Sequence, residues 1–314
     1  MIMYAMLVLG LIVVLYIYNR LTFKIGEAQF PPAGKFVQVD NISLHYMERG
    51  TGRPVVLLHG GVLRGNDYNQ VMELGMAKGY RMLSFDRPGY GYSGRPVDRK
   101  KPFTVIDQAK LLHRALQALG VEKPILVGHS WSGLLVLVYA SLYPDHLAGL
   151  VTVAGGMYKE GYPAEKGDPI SRIVTTPWIG DFIMNILLAP LGRIMARSVM
   201  KATFDPEQVP ADYEEEIRAF WPRPSQFRAN REDVLQFVPA AEYMEPRIAF
   251  METPTMIVVG GLDPFPTREH SYRLYRELPH AELTVLPQSA HMIPQKHPDA
   301  VIHAVHTLIE KFRI

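Results

Sequence analysis

The stretch "LVGHSWSGLL", Leu126 to Leu135, joins the end of one apolar run to the start of another and sets a serine between them. A nucleophilic serine on a sharp strand-to-helix turn is commonly framed Gly-x-Ser-x-Gly. Here the frame reads Gly128, His129, Ser130, Trp131 and Ser132, with Gly133 one place late. Ser130 follows the strand-like "ILV" and precedes "LLVLVYASLYP", a helix candidate, so the required context is present. The flanking positions must be small, because strand and helix pass close together while the turn holds the serine in a strained conformation. Ser132 adds only a Cβ and a hydroxyl where glycine has hydrogen. Recentring the frame on Ser132 fails, since Ser130 and bulky Leu134 would then occupy the small positions.

Outward from this turn, strand-like and helix-like segments alternate. "KFVQVD" and "ISLHYMERG" read as two strands joined by a turn at Asn41, and "PVVLLHGG" as a short apolar strand ending in glycines. "YRMLSFDRPGYGYSG", "KPILVGHS", "AGLVTVAGG", "TPTMIVVGG" and "AELTVLPQS" repeat that pattern. Continuous apolar runs fit central parallel strands, buried on both faces and offering functional groups at their carboxyl ends. Between them lie amphipathic helices such as "TVIDQAKLLHRALQALG", where Val105, Ala109, Leu112, Leu116 and Leu119 make one stripe. The expected fold is a doubly wound, mostly parallel α/β sheet.

The alternation lapses from about Met157 to Phe250, where helix-like pieces such as "DFIMNILLAPLGRIMARSVMKATF", "DYEEEIRAFW" and "SQFRANREDVLQF" are punctuated by prolines. An all-helical insertion between two sheet strands is most simply a cap over the sheet's carboxyl edge. The expected organisation is an anchor and linker over 1–30, a first core part over 31–156, the helical cap over 157–250 and a second core part over 251–314.

A serine hydroxyl needs a histidine to take its proton and a carboxylate to fix that histidine's tautomer. "VVGGLDPF" places Asp263 just after one apolar strand and "LPQSAHMIP" places His291 after the next. After the preceding strand, "LVTVAGG", no acid occurs until Glu160. "LLHGGV" ends a strand with His59, Gly60 and Gly61, where missing side chains let backbone N–H groups face a substrate. The amides of Gly61 and Trp131 are the candidate oxyanion donors. His129 reads as a packed turn residue, and Asp86 and Arg87 as braces of the loop "DRPGYG".

With "HGG", "FDRPGYGYS", "GHSWSG", "GGLDPF" and "SAHMIP" in this order, the chain resembles the α/β-hydrolase-fold serine esterases and lipases, of a membrane-anchored bacterial type. The match runs roughly from Phe36 to Arg313 and is poorest over the cap. The resemblance implies Ser130 as nucleophile, His291 as general base and acid, Asp263 as its orienting acid, and ester hydrolysis through an acyl-enzyme without a cofactor. Ser132 is the one departure in the core motifs. Epoxide hydrolases and haloalkane dehalogenases of this fold need a carboxylate nucleophile, so a serine at 130 disfavours them. The alternatives left open are an acyltransferase, a proline-iminopeptidase-like amidase drawing on Glu214, Glu215 or Glu216, and a non-enzymatic receptor of the same fold.

The amino terminus differs in kind. "IMYAMLVLGLIVVLYIY", Ile2 to Tyr18, is uncharged, and as a helix it would rise roughly 25 Å, slightly under a bilayer's hydrocarbon core. Tyr16 and Tyr18 would then lie at headgroup depth. A cleaved signal peptide fits less well, because no Lys or Arg precedes the run and no A-x-A site follows it. The expectation is a single-pass anchor, with Arg20 and Lys24 favouring a cytoplasmic catalytic domain.

The 314 residues carry 33 basic and 31 acidic side chains, interspersed rather than blocked, which shows no nucleic-acid footprint. With no cysteine, disulfides, thiolate metal sites and a thiol nucleophile are excluded. His297, His303 and His306 read as surface or helix-end residues rather than as a metal site. Arg193, Arg197 and Lys201, four apart, read as a solvated face that anionic headgroups could also meet. The Ile, Leu and Met of "FIMNILLAPLGRIMARSVM" suit a lipophilic acyl group, a small-molecule or lipid ester being the expected substrate.

Overall fold

The computed structural model describes residues 1–62, 64–96 and 101–314, with Arg193 by its backbone alone. The eight apolar runs are eight strands of one sheet: β1 (Lys35–Val39), β2 (Ile42–Arg49), β3 (Arg53–Leu58), β4 (Tyr80–Phe85), β5 (Ile125–His129), β6 (Gly149–Val153), β7 (Thr255–Gly260) and β8 (Ala281–Leu286). Their order is β1-β2-β4-β3-β5-β6-β7-β8. The β1–β2 and β2–β4 pairs are antiparallel and every other neighbouring pair is parallel. Asp40 and Asn41 join β1 to β2 with φ of 49° and 63°, the double positive φ of a two-residue hairpin turn.

Alternation along each strand feeds two cores. Val56 and Leu58 face one side, with α3 (Val105–Ala118) and α4 (Ser132–Leu142), while Val55 and Leu57 face the other, with α2 (Asn69–Ala77) and α11 (Pro298–Phe312). The stripe of α3 is buried at Val105, Ala109, Leu112 and Leu116, and Thr104 opens that helix with a capping box to Asp107. Helix α4 is apolar all round and buried on nearly every face, as its central place demands.

Between β6 and β7 come α5 (Pro169–Thr175), α6 (Ile179–Phe204), α7 (Ala211–Phe220) and α8 (Pro224–Ile248), which enclose a third core. Pro190 lies inside α6, as it does within the helix-like piece quoted for that stretch, and α8 runs through Pro239 and Pro246, past the end of "SQFRANREDVLQF". The amino-terminal helix α1 (Ile2–Gln29) does not give way to a linker after its apolar run. It continues through Arg20 and Lys24, and Asn19, Phe23 and Gly26 are buried. Glycine permits this packing, since a Cβ at Gly26 would meet Ala219 of α7 at 2.9 Å. Beside the Pro190 break, the Ala189 N–H donates to Asn19 Oδ1 at 2.8 Å, so a polar residue at the end of the apolar run satisfies a cap amide.

Helix α8 is tied to the sheet by ions. Asp233, 1% exposed, accepts from Arg87 Nη1 at 2.6 Å, Arg95 Nη2 at 2.9 Å, Gln108 Nε2 at 2.8 Å and the Tyr90 hydroxyl at 3.1 Å. Burial works against its charge, but the two guanidinium groups outweigh it and hold the carboxyl below its ordinary range. Asp233→Ala leaves buried Arg87 without a carboxylate partner and Arg95 with Glu232 alone, and should destabilise the fold by about 3–5 kcal/mol in urea unfolding. Asp233→Asn, which keeps the shape, should lose less.

Candidate active site

Ser130 directly follows β5 and is separated from α4 by Trp131 alone, with φ +53°. Its N–H donates to Val153 O at 3.0 Å, while its carbonyl accepts from Gly133 and Gly156, both at 2.9 Å. The neighbours must be small. A Cβ at Gly128 would sit 2.3 Å from the Ser132 carbonyl oxygen, and one at Gly133 would sit 2.7 Å from Gly155 Cα. The glycine needed for close passage of helix and sheet is therefore Gly133, which leaves position 132 free to carry a hydroxyl. Ser132 uses it, donating to the His59 carbonyl at 2.6 Å.

The loops after β7 and β8 bring the other two residues to this turn. His291 Nε2 lies 2.9 Å from Ser130 Oγ, and His291 Nδ1 lies 2.8 Å from Asp263 Oδ2. Asp263 also accepts from the Thr267 hydroxyl at 2.5 Å and the Phe265 N–H at 3.0 Å. Burial disfavours its charge, yet the adjoining imidazole and these donors hold the carboxyl below its usual range. Glu160, the other acid the sequence offered, pairs instead with Arg273 at 3.2 Å.

Gly61 and Trp131 line the cavity beside Ser130. The turn's own backbone bonds use the amides of Ser130, Gly133 and Gly156 rather than that of Trp131. The loop bearing Gly61 is held from several sides. Arg87 Nε donates to His59 O at 3.1 Å, Arg87 Nη2 to Gly60 O at 3.0 Å, and Asn230 Nδ2, from α8, to Gly61 O at 2.7 Å. The Arg87 guanidinium also stacks 4.1 Å from the centre of the Trp131 ring. Arg87 thus does more than brace its own loop, and Asn230 was not singled out from the sequence. Asp86 does brace that loop, accepting from Gly65, His45 and Tyr92.

His129 Nε2 donates to the His291 carbonyl at 3.0 Å. Burial, then repulsion from His291, pushes its imidazole down to about 3, so it is a neutral prop. His270, also against the cavity, accepts from the Met157 N–H at 3.2 Å and donates to Glu160 O at 2.8 Å. The cavity, about 200 Å³, is otherwise walled by Val62, Tyr162, Val199, Trp221 and Phe265, with Arg231 as its charged member.

The other candidates lie elsewhere. Glu214 pairs with Arg218, and Glu216 is buried against Arg64 and Asn66 rather than facing water. None of Glu214, Glu215 and Glu216 lines the cavity. His306 meets the Tyr80 hydroxyl at 3.0 Å and Glu310 at 3.2 Å, whereas His297 faces Glu207 at 3.2 Å.

Residues 53–173 match a family model described as alpha/beta hydrolase fold. The chain is 25% identical over 282 residues to a 2-hydroxy-6-oxo-6-phenylhexa-2,4-dienoate hydrolase of Burkholderia cepacia, covering 85% of this chain and 92% of that protein. It is 27% identical over 297 residues to a cis-3-alkyl-4-alkyloxetan-2-one decarboxylase of Shewanella oneidensis, covering 88% of each. Among solved structures it is similar to a thermophilic esterase from Thermogutta terrifontis, with TM-score 0.72 and 21% identity over 88% of this chain and 99% of that one. The sheet, the family model and these neighbours agree on the architecture: the chain has the alpha/beta hydrolase fold. The proteins it resembles are named for different reactions.

Two buried imidazoles give the site a pH signature. His59, like His129, is pushed from 6.5 down to about 3, by burial and then by Arg87. An unfolded chain protonates both near 6.5 and the folded one does not, so stability is full above that pH and falls on acidification towards about 3. The urea midpoint should hold between pH 8 and 7 and drop below about 6.5. His129→Asn should make that decline shallower.

Proposed function

We propose that this protein is a serine hydrolase of lipophilic carboxylic esters, acting through an acyl-enzyme on Ser130, His291 and Asp263. The observation that carries the reading is the continuous hydrogen-bonded chain from Ser130 Oγ through both nitrogens of His291 to Asp263 Oδ2. Ser130 Oγ attacks the ester carbonyl while His291 Nε2 takes its proton. Asp263 keeps Nδ1 protonated, and so keeps Nε2 a base, and it stabilises the imidazolium. The oxyanion is met by the N–H groups of Gly61 and Trp131, each worth about 100- to 1,000-fold in rate. His291 then protonates the departing alkoxide, and a water activated by the same nitrogen releases the acid. The aromatic and aliphatic cavity wall supports an apolar acyl group.

Ser130→Ala and His291→Ala should each lower turnover of an aryl ester by several orders of magnitude and leave the unfolding transition nearly unchanged. Asp263→Asn should cost about 10⁴-fold by favouring the wrong tautomer. A series of aryl esters tests the acyl group, with kcat/KM rising beyond acetate as the expected result. Absence of fluorophosphonate labelling at Ser130 in folded protein would overturn the reading in favour of a receptor.

One observation favours a second reading. Arg231 lines the cavity together with Asn230, to which it is hydrogen-bonded. A cation there suits an acidic ketone of the kind named for the Burkholderia cepacia relative. Turnover of 2-hydroxy-6-oxo-6-phenylhexa-2,4-dienoate, abolished in Arg231→Gln while neutral ester hydrolysis survives, would establish carbon–carbon bond cleavage instead.

The apolar part of α1 supports a membrane anchor, with the catalytic domain on the cytoplasmic side by the charges of Arg20 and Lys24.

A further inference from the structure

The outer face of α6 is the reverse of what water favours. Ile179, Phe182, Leu187, Leu191, Ile194 and Met195 are between 36% and 68% exposed. Leu187, Leu191 and Ile194, three or four residues apart, share one side of the helix, with Met195 flanking them and Ile179 and Phe182 exposed at its amino end. On its other side, Met184, Leu188, Ala196 and Met200 pack into the cap core. A helix that is apolar on both its inner and its outer face belongs inside protein or in lipid, not at a water boundary. Ile170 and Ile173 of α5, 57% and 50% exposed, extend the patch. Helix α5 and the first half of α6 together are apolar and long enough to meet a membrane, but a 107° bend between them excludes a straight span. Such a pair suits a position along the bilayer surface.

The patch is continuous with α1. The uncharged run of α1 ends at Asn19, directly before Arg20, and Asn19 is the residue hydrogen-bonded to α6 at Ala189. Helix α6 is therefore fastened to α1 at the level where that helix would leave the hydrocarbon and enter the headgroups.

We propose that the outer face of α5 and α6 is a second membrane-embedded surface, lying in the same leaflet boundary as the emerging end of α1, with its apolar side chains buried in lipid. This rests on reading α1 as a membrane anchor. Further along α6, Val199 and Thr203 line the cavity that holds Ser130. One helix thus contacts the bilayer with one segment and the substrate cavity with another, which offers a lipophilic ester a route that avoids water.

The chain has no cysteine, so single cysteines can be placed at will. The full-length protein is reconstituted in phosphatidylcholine vesicles with an environment-sensitive fluorophore at Phe182→Cys, Leu191→Cys or Ile194→Cys. Val8→Cys in α1 reports the anchor, and Glu122→Cys, exposed ahead of β5 at the opposite edge of the sheet, reports water. Brominated lipids should quench the three α6 probes and Val8→Cys by about half or more and spare Glu122→Cys. Quenching at Val8→Cys without quenching on α6 would overturn the second surface and leave the anchor standing. Quenching at neither would overturn the anchor and the proposal with it. Blue-shifted but unquenched α6 probes, with energy transfer between labelled copies, would put a second copy of the chain on the stripe and likewise overturn it.

Discussion

The site depends on one buried guanidinium. Arg87, 1% exposed, bonds through its backbone N–H to His59 Nε2 and through its side chain to the carbonyls of His59 and Gly60. Its remaining nitrogen reaches Asp233, across the interface with α8. The same ion therefore fixes the backbone of His59 and Gly60 and ties the cap to the sheet. A buried cation is tolerable only with its partners in place, so the loop and the cap are organised together or not at all.

The eight strands and the three residues joined at Ser130 were legible in the sequence, because each depends on local signals. Apolar runs with terminal glycines mark buried parallel strands, and a residue just past such a run is carried to the common edge of the sheet. The partners of Arg87 were not legible. Asp233 lies 146 positions away in a helix whose acids look like an ordinary solvated face. Asn230, Trp221 and Arg231 were missed for the same reason, since what brings them to the cavity is the fold of the cap and not a spacing.

Ser132 was visible in the sequence as the one departure from the motif, a Cβ and a hydroxyl where the pattern has glycine. Close passage between helix and sheet falls at Gly133, where an added Cβ would strike Gly155, so the motif's glycine is displaced by one position rather than missing. The hydroxyl at 132 then joins Arg87 on the His59 carbonyl, giving that acceptor two donors. A departure from a sequence pattern here adds a restraint on the loop that carries His59 and Gly60.

The cap is held in two different ways. Helix α8 is fixed to the core by polar contacts, of Asp233 with Arg87 and Arg95 and of Asn230 with Gly61. Helix α6 is fixed largely from the far side, by Asn19 and Phe23 of α1, with Arg223 and Glu27 paired at 2.8 Å where α1 leaves the cap. The Tyr92 hydroxyl, from the loop after β4, closes this arrangement by donating to the carbonyls of Glu27 and Phe30. The wall of the cavity formed by Val199 and Thr203 therefore takes its position from the amino-terminal helix, while the wall formed by Asn230 and Arg231 takes it from the sheet. Displacing α1 would shift the first wall and leave the second, so the amino-terminal helix is part of the architecture that shapes the cavity beside Ser130.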